Sequence, residues 1–242
     1  MNLIIDIGNT QAKVAVFEGN KMVFRIQTDA ENIFKKIEEI QKKYENIEKA
    51  IVSSVGKLDK NSFETLKKDF QLLFLDHNTV LPFKNLYSTP KTLGIDRIAL
   101  VCACVEKYAN KNVLIIDAGT CITYDFITGD NEYYGGAISP GLRMRYKALH
   151  NQTAKLPLLS SKVPDGLIGN STEQGIHSGV FNGVVFEIEG AIQTYRKKYG
   201  DLTVILTGGD TKMLSKQLKS SIFANSNHLL EGLNFILQFN TN

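Results

Sequence analysis

Short apolar runs separated by glycine turns alternate with amphipathic segments along this chain. The runs Leu3–Ile7, Ala12–Phe17 and Met22–Ile26 are joined by turns at Gly8 and Gly19, which predicts a three-stranded antiparallel meander. The pattern then predicts, in chain order, a helix from Asp29 to about Tyr44, a strand over Ala50–Val55, a helix over about Lys60–Phe70, a strand over Leu72–Leu75 and a helix from Gly94. We therefore assign the chain to the α/β class.

The opening pattern returns in the second half of the chain. Another apolar run, Val113–Asp117, leads to a turn at Gly119 and then to two more predicted strands. Asp117 follows Asp6 by 111 residues, the same interval that separates Gly119 from Gly8. This repetition predicts a duplicated architecture. The two predicted domains are residues 1–111 and 112–242.

A long helix is predicted within the second half. It extends from an N-cap at Asn170 to about Lys198, with Glu173 in the capping-box position. Glycines at positions 175, 179 and 183 fall on one face of this helix. An isolated glycine lowers helix stability by about 1 kcal/mol relative to alanine, so three in register indicate close packing against another element.

Composition and charge exclude several classes of protein. Apolar residues make up 43% and charged residues 22% of the 242 residues, so disorder is not expected. The net charge is only +3 and the lysine clusters stand beside glutamates, so a nucleic-acid partner is not expected. A membrane partner is not expected either, because the sequence has no apolar run of about 18 residues.

The N-terminus and the cysteines predict a cytoplasmic location. The first residues form an apolar strand that meets Asp6 at once, unlike a secretory signal peptide. The three cysteines lack CxxC spacing, which argues against a zinc site and against a disulfide framework. A reducing compartment fits this usage.

The repeated unit of strand, Asp-x-Gly turn and strand is suited to binding phosphate. Glycine in a tight hairpin lets backbone N–H groups approach an anion, and a neighbouring hydroxyl, Thr10 or Thr120, adds a donor. Asp6 and Asp117, at the strand ends, can each hold a hydrated cation that neutralises phosphate charge. Two such turns facing each other would clamp a triphosphate between two lobes. Taken singly, each turn is also explained as an ordinary hairpin.

A third glycine turn, Gly208-Gly209, follows a predicted strand and precedes Asp210. Adjacent glycines let a flat ligand lie against the backbone, although a plain strand-to-helix turn explains the same residues. The turn matches neither the Walker A pattern nor G-x-G-x-x-G, so a P-loop and a Rossmann fingerprint are not indicated.

Taken together, these segments resemble the actin-like kinase superfamily, and within it the type III pantothenate kinases. The segments that carry the resemblance are, in chain order, the first phosphate motif Asp6–Thr10, the Gly-x-Asp-Arg motif Gly94–Arg97, the second phosphate motif Asp117–Thr120, the segments Gly135–Gly141 and Gly169–Thr172, and the adenosine motif Leu206–Asp210. The resemblance covers Met1 to about Gly232. It implies two duplicated ribonuclease-H-like, actin-like domains, each a mixed sheet flanked by helices.

The resemblance implies that ATP phosphorylates the primary hydroxyl of pantothenate to 4'-phosphopantothenate, the first step of coenzyme A biosynthesis. Magnesium and a monovalent cation, potassium or ammonium, are the implied cofactors. The implied nucleotide-binding residues are Asp6, Ile7, Gly8, Asn9, Thr10, Gln11, Ala12, Lys13, Thr120, Gly208 and Gly209. Two other functions stay open: another actin-like kinase, for instance of a sugar, and a nucleotide-binding regulator without catalysis.

The residues around the Gly-x-Asp-Arg motif are the candidates for acceptor chemistry. Asp96 is the candidate general base, because backbone donors at a helix start stabilise its charge; a helix residue paired with Arg97 is the alternative explanation. Arg97 suits bidentate binding of the pantothenate carboxylate or of a phosphate. By resemblance Tyr87 contacts pantothenate, and Thr172 begins a helix that suits a polar ligand. The predicted substrate-binding set is Tyr87, Gly94, Ile95, Asp96, Arg97 and Thr172.

Two aspartates are candidate metal ligands. By resemblance Asp117 binds the monovalent cation, although its chemistry alone suits magnesium as readily, and Asp6 is then the partner of hydrated magnesium. A homodimer is predicted as well, with the glycine face of the long helix as its contact and Thr172 beside the interface. The resemblance agrees, since the family is dimeric.

Overall fold

The computed structural model describes residues 1–8, 11–54 and 63–241 of the chain. The chain divides into two compact units: Asn110–Ser226 forms one, and Met1–Ala109 together with the segment that begins at Asn227 forms the other. We call the unit that contains the N-terminus unit 1 and the unit that begins at Asn110 unit 2.

Unit 1 is built on a five-stranded mixed sheet with the order β3-β2-β1-β4-β5. Its strands are β1 (Asn2–Ile7), β2 (Ala12–Glu18), β3 (Lys21–Thr28), β4 (Lys49–Ser54) and β5 (Gln71–Phe74). The first three strands are antiparallel, which confirms the predicted meander, whereas β1, β4 and β5 are parallel. A short strand, β6 (Lys84–Asn85), lies in the segment that leads to the Gly-x-Asp-Arg motif.

Helices cover both faces of this sheet. The helix α1 (Ile33–Lys43) buries Ile33, Ile37 and Ile40, and these join one core cluster with alternate residues of β1, β2 and β4. The helices α2 (Ile95–Lys107) and α7 (His228–Thr241) pack on each other, and α7 also contacts β1 and β4. The predicted second domain included the C-terminal helix, but the structure packs it in unit 1, because its apolar residues complete the layer begun by α2.

Unit 2 repeats the strand plan of unit 1. Within residues 110–226 the order is β11-β10-β7-β8-β9, with β7 antiparallel to β8 and parallel to β10. The bounds are β7 (Val113–Ala118), β8 (Cys121–Ile127), β9 (Glu132–Pro140), β10 (Thr203–Thr207) and β11 (Phe223–Ala224). Strand β7 thus holds the position that β1 holds in unit 1, so the duplicated mixed-sheet fold predicted from the sequence is confirmed.

The helical segments of unit 2 differ from prediction in two respects. The structure gives α3 (Leu142–Asn151), α4 (Thr172–His177), a π-helical turn (Ser178–Asn182), α5 (Gly183–Tyr199) and α6 (Thr211–Leu214). The predicted long helix is therefore interrupted by a π turn. Its N-cap is Ser171 rather than Asn170, since the Ser171 hydroxyl accepts a hydrogen bond from the Gln174 N–H at 3.2 Å.

Between β4 and β5 the prediction was a helix over about Lys60–Phe70. The structure has a 3₁₀ turn, Thr65–Lys68, within the described part of that segment, and residues 55–62 lie outside the described ranges. Among the described residues, the helices are all too short or too polar to cross a membrane.

Candidate active site

The first Asp-x-Gly turn joins β1 to β2 in unit 1. The Gly8 N–H donates a hydrogen bond to the Gln11 carbonyl oxygen at 3.1 Å, which closes the hairpin. Two predicted phosphate-binding residues, Asn9 and Thr10, lie outside the described residues. Gln11 is exposed, and its side-chain oxygen accepts a hydrogen bond from Gln27.

Two of the predicted nucleotide-binding side chains belong to the core of unit 1. Ile7 is 1% exposed and Ala12 is 0% exposed, and the two are paired across the β1–β2 hairpin. Their side chains pack against the apolar cluster around α1. Only their backbone groups are therefore placed to meet a ligand.

Asp6 carries the strongest electrostatic signature of this turn. It is 6% exposed, and the Lys13 Nζ lies 3.8 Å from its Oδ2. Burial raises the pKa of Asp6 to about 6; Lys13 opposes the shift and the negative charge of Asp96 adds to it. Two carboxylates and one ammonium therefore interact here, an arrangement that a cation would stabilise.

Gly94 determines where the Asp96 carboxylate lies. Asp96 is in the first turn of α2, and its Oδ1 accepts a hydrogen bond from the Arg97 N–H at 2.8 Å. A Cβ atom on residue 94 would lie 2.4 Å from that Oδ1, so a larger residue would displace the carboxylate. The other oxygen, Oδ2, takes no part in this hydrogen bond. Ile95, the first residue of the helix, is half-buried.

Arg97 and Tyr87, both in the predicted substrate-binding set, lie close together. Arg97 is only 5% exposed, and its guanidinium carbon lies 5.6 Å from the centroid of the Tyr87 ring. The Tyr87 N–H donates to the Asn85 side chain at 3.0 Å, which fixes the backbone as it leaves β6. The guanidinium that follows the candidate base in sequence thus lies close to an aromatic ring.

The second Asp-x-Gly turn joins β7 to β8 in unit 2. The Gly119 N–H donates to the Cys121 carbonyl oxygen at 2.9 Å, and Thr120 is exposed. A Cβ atom on residue 119 would have its nearest neighbour, the Cys121 oxygen, at 4.0 Å. Protein packing therefore leaves open space beside Gly119, as a phosphate-binding glycine requires.

The adjacent glycines of the third turn have different roles. Gly208 has a φ of +95°, and a Cβ atom there would lie 2.3 Å from the Ala118 carbonyl oxygen and 2.4 Å from the Asp117 Oδ1. Gly208 is therefore required by the close approach of β10 to β7. At Gly209 a Cβ atom would meet only the Arg143 Nη2, at 3.8 Å, so the space beside it is open.

Arg143 is a residue that sequence reasoning missed. It lies in the first turn of α3, its side chain is 61% exposed, and its Nη2 is 3.6 Å from the Oδ1 of buried Asp210. Burial raises the pKa of Asp210, and Arg143 opposes that shift. An exposed guanidinium over an open glycine is suited to an anionic or flat ligand. An arginine just after the Gly135–Gly141 segment was the available signal.

Thr172 lies in a different part of unit 2. It is exposed at the start of α4 and lines a cavity of about 890 Å³. Apolar side chains of α3 and the helix face that carries Gly175 and Gly179 form much of the remaining lining.

The comparison with known proteins identifies the family. The family model for type III pantothenate kinase matches residues 2–194. The chain belongs to the type III pantothenate kinase family. It is 57% identical over 240 residues to the type III pantothenate kinase of Christiangramia forsetii, with 99% of each chain covered. It is 49% identical over 239 residues to that of Flavobacterium johnsoniae, covering 99% of this chain and 98% of the relative.

A solved structure agrees on the fold. The activator of 2-hydroxyisocaproyl-CoA dehydratase from Clostridium difficile, solved with bound ADPNP, superposes with a TM-score of 0.54 at 12% identity. The match covers 99% of this chain and 93% of that one. At this identity the likeness supports the actin-like fold alone.

The oxygen donors of this type III pantothenate kinase fit the expected cations. Among the described residues, His, Cys, Asp and Glu side chains form no group of three that would hold a metal ion. Magnesium does not require three protein ligands, because it keeps several waters and uses one or two carboxylates plus substrate phosphates. Asp6 offers one such carboxylate, with the negative charge of Asp96 nearby. The Asp117 Oδ1 and the Ala118 carbonyl oxygen both lie against Gly208.

Proposed function

We propose that this chain transfers the γ-phosphate of ATP to the primary hydroxyl of pantothenate, giving 4'-phosphopantothenate for coenzyme A biosynthesis. The observation that carries the proposal is the family match over residues 2–194 combined with an Asp96 carboxylate positioned by Gly94. Phosphoryl transfer depends mainly on positioning and charge neutralisation, and these residues are suited to both.

Asp96 acts as the general base in this proposal. Its Oδ1 is held by the Arg97 N–H, so Oδ2 is the atom that accepts the proton of the pantothenate hydroxyl. Arg97 and Tyr87 bind the acceptor, with the guanidinium directed at the pantothenate carboxylate or at a phosphate. That Thr172 contributes a hydroxyl to the same substrate stays a prediction.

The nucleotide is bound in this proposal through backbone groups beside Gly8, Gly119 and Gly209 and through the Thr120 hydroxyl. Open space beside Gly119 and Gly209 supports this assignment, because protein packing does not require those two glycines. Magnesium, when bound, neutralises phosphate charge; Asp6 would hold it and Asp117 would hold potassium or ammonium. That the two Asp-x-Gly turns close on one triphosphate stays a prediction.

A coupled assay of ADP release tests the proposed function. ATP, magnesium and potassium are supplied with pantothenate, with hexoses, or without an acceptor. We expect ADP release only with pantothenate, together with a product heavier by one phosphate in mass spectrometry. Release with a hexose alone would favour a sugar kinase, and ATP binding without release would favour a regulator.

We also propose a homodimer, formed through the glycine face of α4, the π turn and α5. Cβ atoms placed on Gly175, Gly179 and Gly183 would meet no atom of the described residues within 4 Å, so there is open space beside each of these glycines. Gly175 and Gly179 border the apolar cavity, which a second copy would cover.

Sedimentation measures this dimer directly. The wild-type protein is expected at about twice the chain mass of 27.0 kDa at micromolar concentration. Gly179→Leu should dissociate it, whereas Gly190→Leu, at a glycine that does not line the cavity, should not. A wild-type mass near 27.0 kDa would rule out the dimer.

The cytoplasmic location is likewise proposed, since thiols such as Cys102 and Cys104 persist in a reducing compartment.

A further inference from the structure

Ser53 has an unusual environment near the end of β4. Its exposed fraction is 0%, and its hydroxyl oxygen has no hydrogen-bond partner among the described residues. Most buried polar side chains in native proteins are hydrogen-bonded, so an exception calls for a physical explanation. A group that binds beside the hydroxyl in the working enzyme is one such explanation.

The sheet register directs Ser53 toward the candidate cation site. Ser53 pairs with Asp6 in the parallel β1–β4 ladder, so the two side chains project from the same face of the sheet. Their neighbours Ile5 and Val52 project from the other face, into the core cluster around α1. The hydroxyl therefore lies on the face that carries the Asp6 carboxylate, to which Lys13 and Asp96 are also close.

We propose that Ser53 is a positioning residue whose hydroxyl hydrogen-bonds to a water molecule of the hydrated magnesium ion held by Asp6. A hydroxyl can donate and accept, so it suits a water that is held between a carboxylate and phosphate oxygens. Magnesium retains several of its waters when it binds. A neutral hydroxyl can therefore act by hydrogen-bonding to one of these waters, and the site does not need a third carboxylate. The inference rests on the proposed function only through its need for a metal–nucleotide complex.

This role predicts opposite effects of Ser53 on folding and on binding. In the ligand-free protein the buried hydroxyl lacks a partner, so its removal should leave stability unchanged or higher. In the complex the same removal deletes a hydrogen bond to the bound cation. A hydroxyl that served only the fold would give the reverse, with lower stability and unchanged cation binding.

The test compares Ser53→Ala with Ser161→Ala. Ser161 belongs to unit 2, and its hydroxyl also lacks a partner among the described residues, so it is a matched control for losing such a group. Binding of Mn²⁺ to each protein in the presence of ADP is measured by electron paramagnetic resonance, and melting temperatures are measured without ligand. We expect Ser53→Ala to weaken Mn²⁺ binding by about threefold to tenfold, the loss of one hydrogen bond, without lowering its melting temperature. Ser161→Ala should bind Mn²⁺ like the wild type.

Two outcomes would overturn the inference. One is unchanged Mn²⁺ affinity in Ser53→Ala, and the other is a melting temperature several degrees below wild type. Activity is measured separately, as the magnesium concentration that half-saturates pantothenate-dependent ADP release. If the wild type releases no ADP with pantothenate, the proposed function fails, whereas the Mn²⁺–ADP measurement still decides the role of Ser53.

Discussion

The two Asp-x-Gly hairpins occupy equivalent strands of the two units but lie in different surroundings. Asp6, at the end of β1, is almost fully buried and has Lys13 and Ser53 as its cross-strand neighbours. Asp117, at the end of β7, is half-buried and has Thr123 and Thr207 as neighbours. The same strand plan therefore gives Asp6 a charged neighbour and a hydroxyl neighbour in its ladders, whereas both ladder neighbours of Asp117 are threonines.

The difference teaches how a duplicated motif acquires two roles. A buried carboxylate whose pKa is raised to about 6, with a second carboxylate nearby, gains most from a divalent cation. We propose the monovalent cation for Asp117, a half-buried carboxylate whose Oδ1 lies against Gly208. The motif fixes the position of the aspartate, and its cross-strand partners set its chemistry.

The largest expected effect comes from the Asp96 carboxylate, whose charge acts on Asp6 in unit 1. Asp96→Asn keeps the size of the side chain and its hydrogen bond to the Arg97 N–H but removes the base. We expect kcat to fall by about 10²- to 10⁴-fold, the range for a general base, with nucleotide affinity changed by less than about twofold. Single-turnover kinetics and titration with a fluorescent ADP analogue measure the two quantities.

Asp130→Asn is the matched control, since Asp130 lies exposed in the β8–β9 turn and should leave both quantities unchanged. Turnover like the wild type in Asp96→Asn would remove the general-base role. A loss of nucleotide affinity would instead make Asp96 a metal or nucleotide residue.

Gly94→Ala should act through the same carboxylate without altering its charge. The new Cβ would lie 2.4 Å from the Asp96 Oδ1, so the carboxylate must move. We expect kcat to fall by roughly tenfold to a hundredfold, because a displacement of about 1 Å can cost that much. Steady-state kinetics with pantothenate varied measure it. Gly190→Ala, on an open face of α5, is the control; a Gly94→Ala enzyme as active as the control would contradict the positioning role.

Two aspartate variants test whether the two hairpins bind different cations. Asp117→Ala should lower the rate in potassium by about tenfold, so that the rates in sodium and potassium become equal. Its dependence on magnesium should be unchanged. Asp6→Asn should raise the magnesium concentration needed by about tenfold and keep the preference for potassium. Both follow from the proposal that Asp6 holds the divalent cation and Asp117 holds the monovalent cation. Equal loss of both responses in both variants would show that the two hairpins share one cation.

The sequence alone was sufficient to predict the strands, turns and helices that depend on local residue patterns. The β1–β2–β3 meander, its repeat at β7 and the helix that presents Asp96 follow from apolar periodicity and glycine turns. The π turn at Ser178–Asn182 was missed, since one extra residue per turn leaves no clear mark in such a pattern. The C-terminal helix was assigned to unit 2 because an apolar helix face does not indicate which sheet it covers.

The candidate site was predicted less completely, because its details depend on tertiary contacts. Gly94 was recognised only as part of a motif; its contact with the Asp96 carboxylate depends on how α2 begins. Arg143 and Ser53 carry no motif, and their roles come from a neighbouring glycine turn and from a strand register. Ile7 and Ala12 were included with their motif although their side chains belong to the core.

The smallest expected effect concerns the stability cost of keeping Asp6 buried. Burial raises its folded pKa from 3.8 to about 6, so the folded protein binds this proton more tightly than the unfolded chain does. The contribution of Asp6 to stability is therefore full below pH 3.8 and is lost as the pH rises through about 6. His228 has the opposite sign: burial lowers its pKa from 6.5 to about 4, so its contribution is lost as the pH falls through that window.

Comparing Asp6→Asn with the wild type isolates the aspartate, because His228 titrates in both proteins. Without nucleotide or added metal, Asp6→Asn should be the more stable protein at pH 8, where the wild type holds a buried charge. Its advantage should shrink by about 1 kcal/mol at pH 5, where the wild-type carboxyl is mostly protonated in the folded state. Urea unfolding at both pH values measures the difference, and Asp130→Asn should show none. A stability difference that does not change between pH 8 and pH 5 would mean that Asp6 titrates normally.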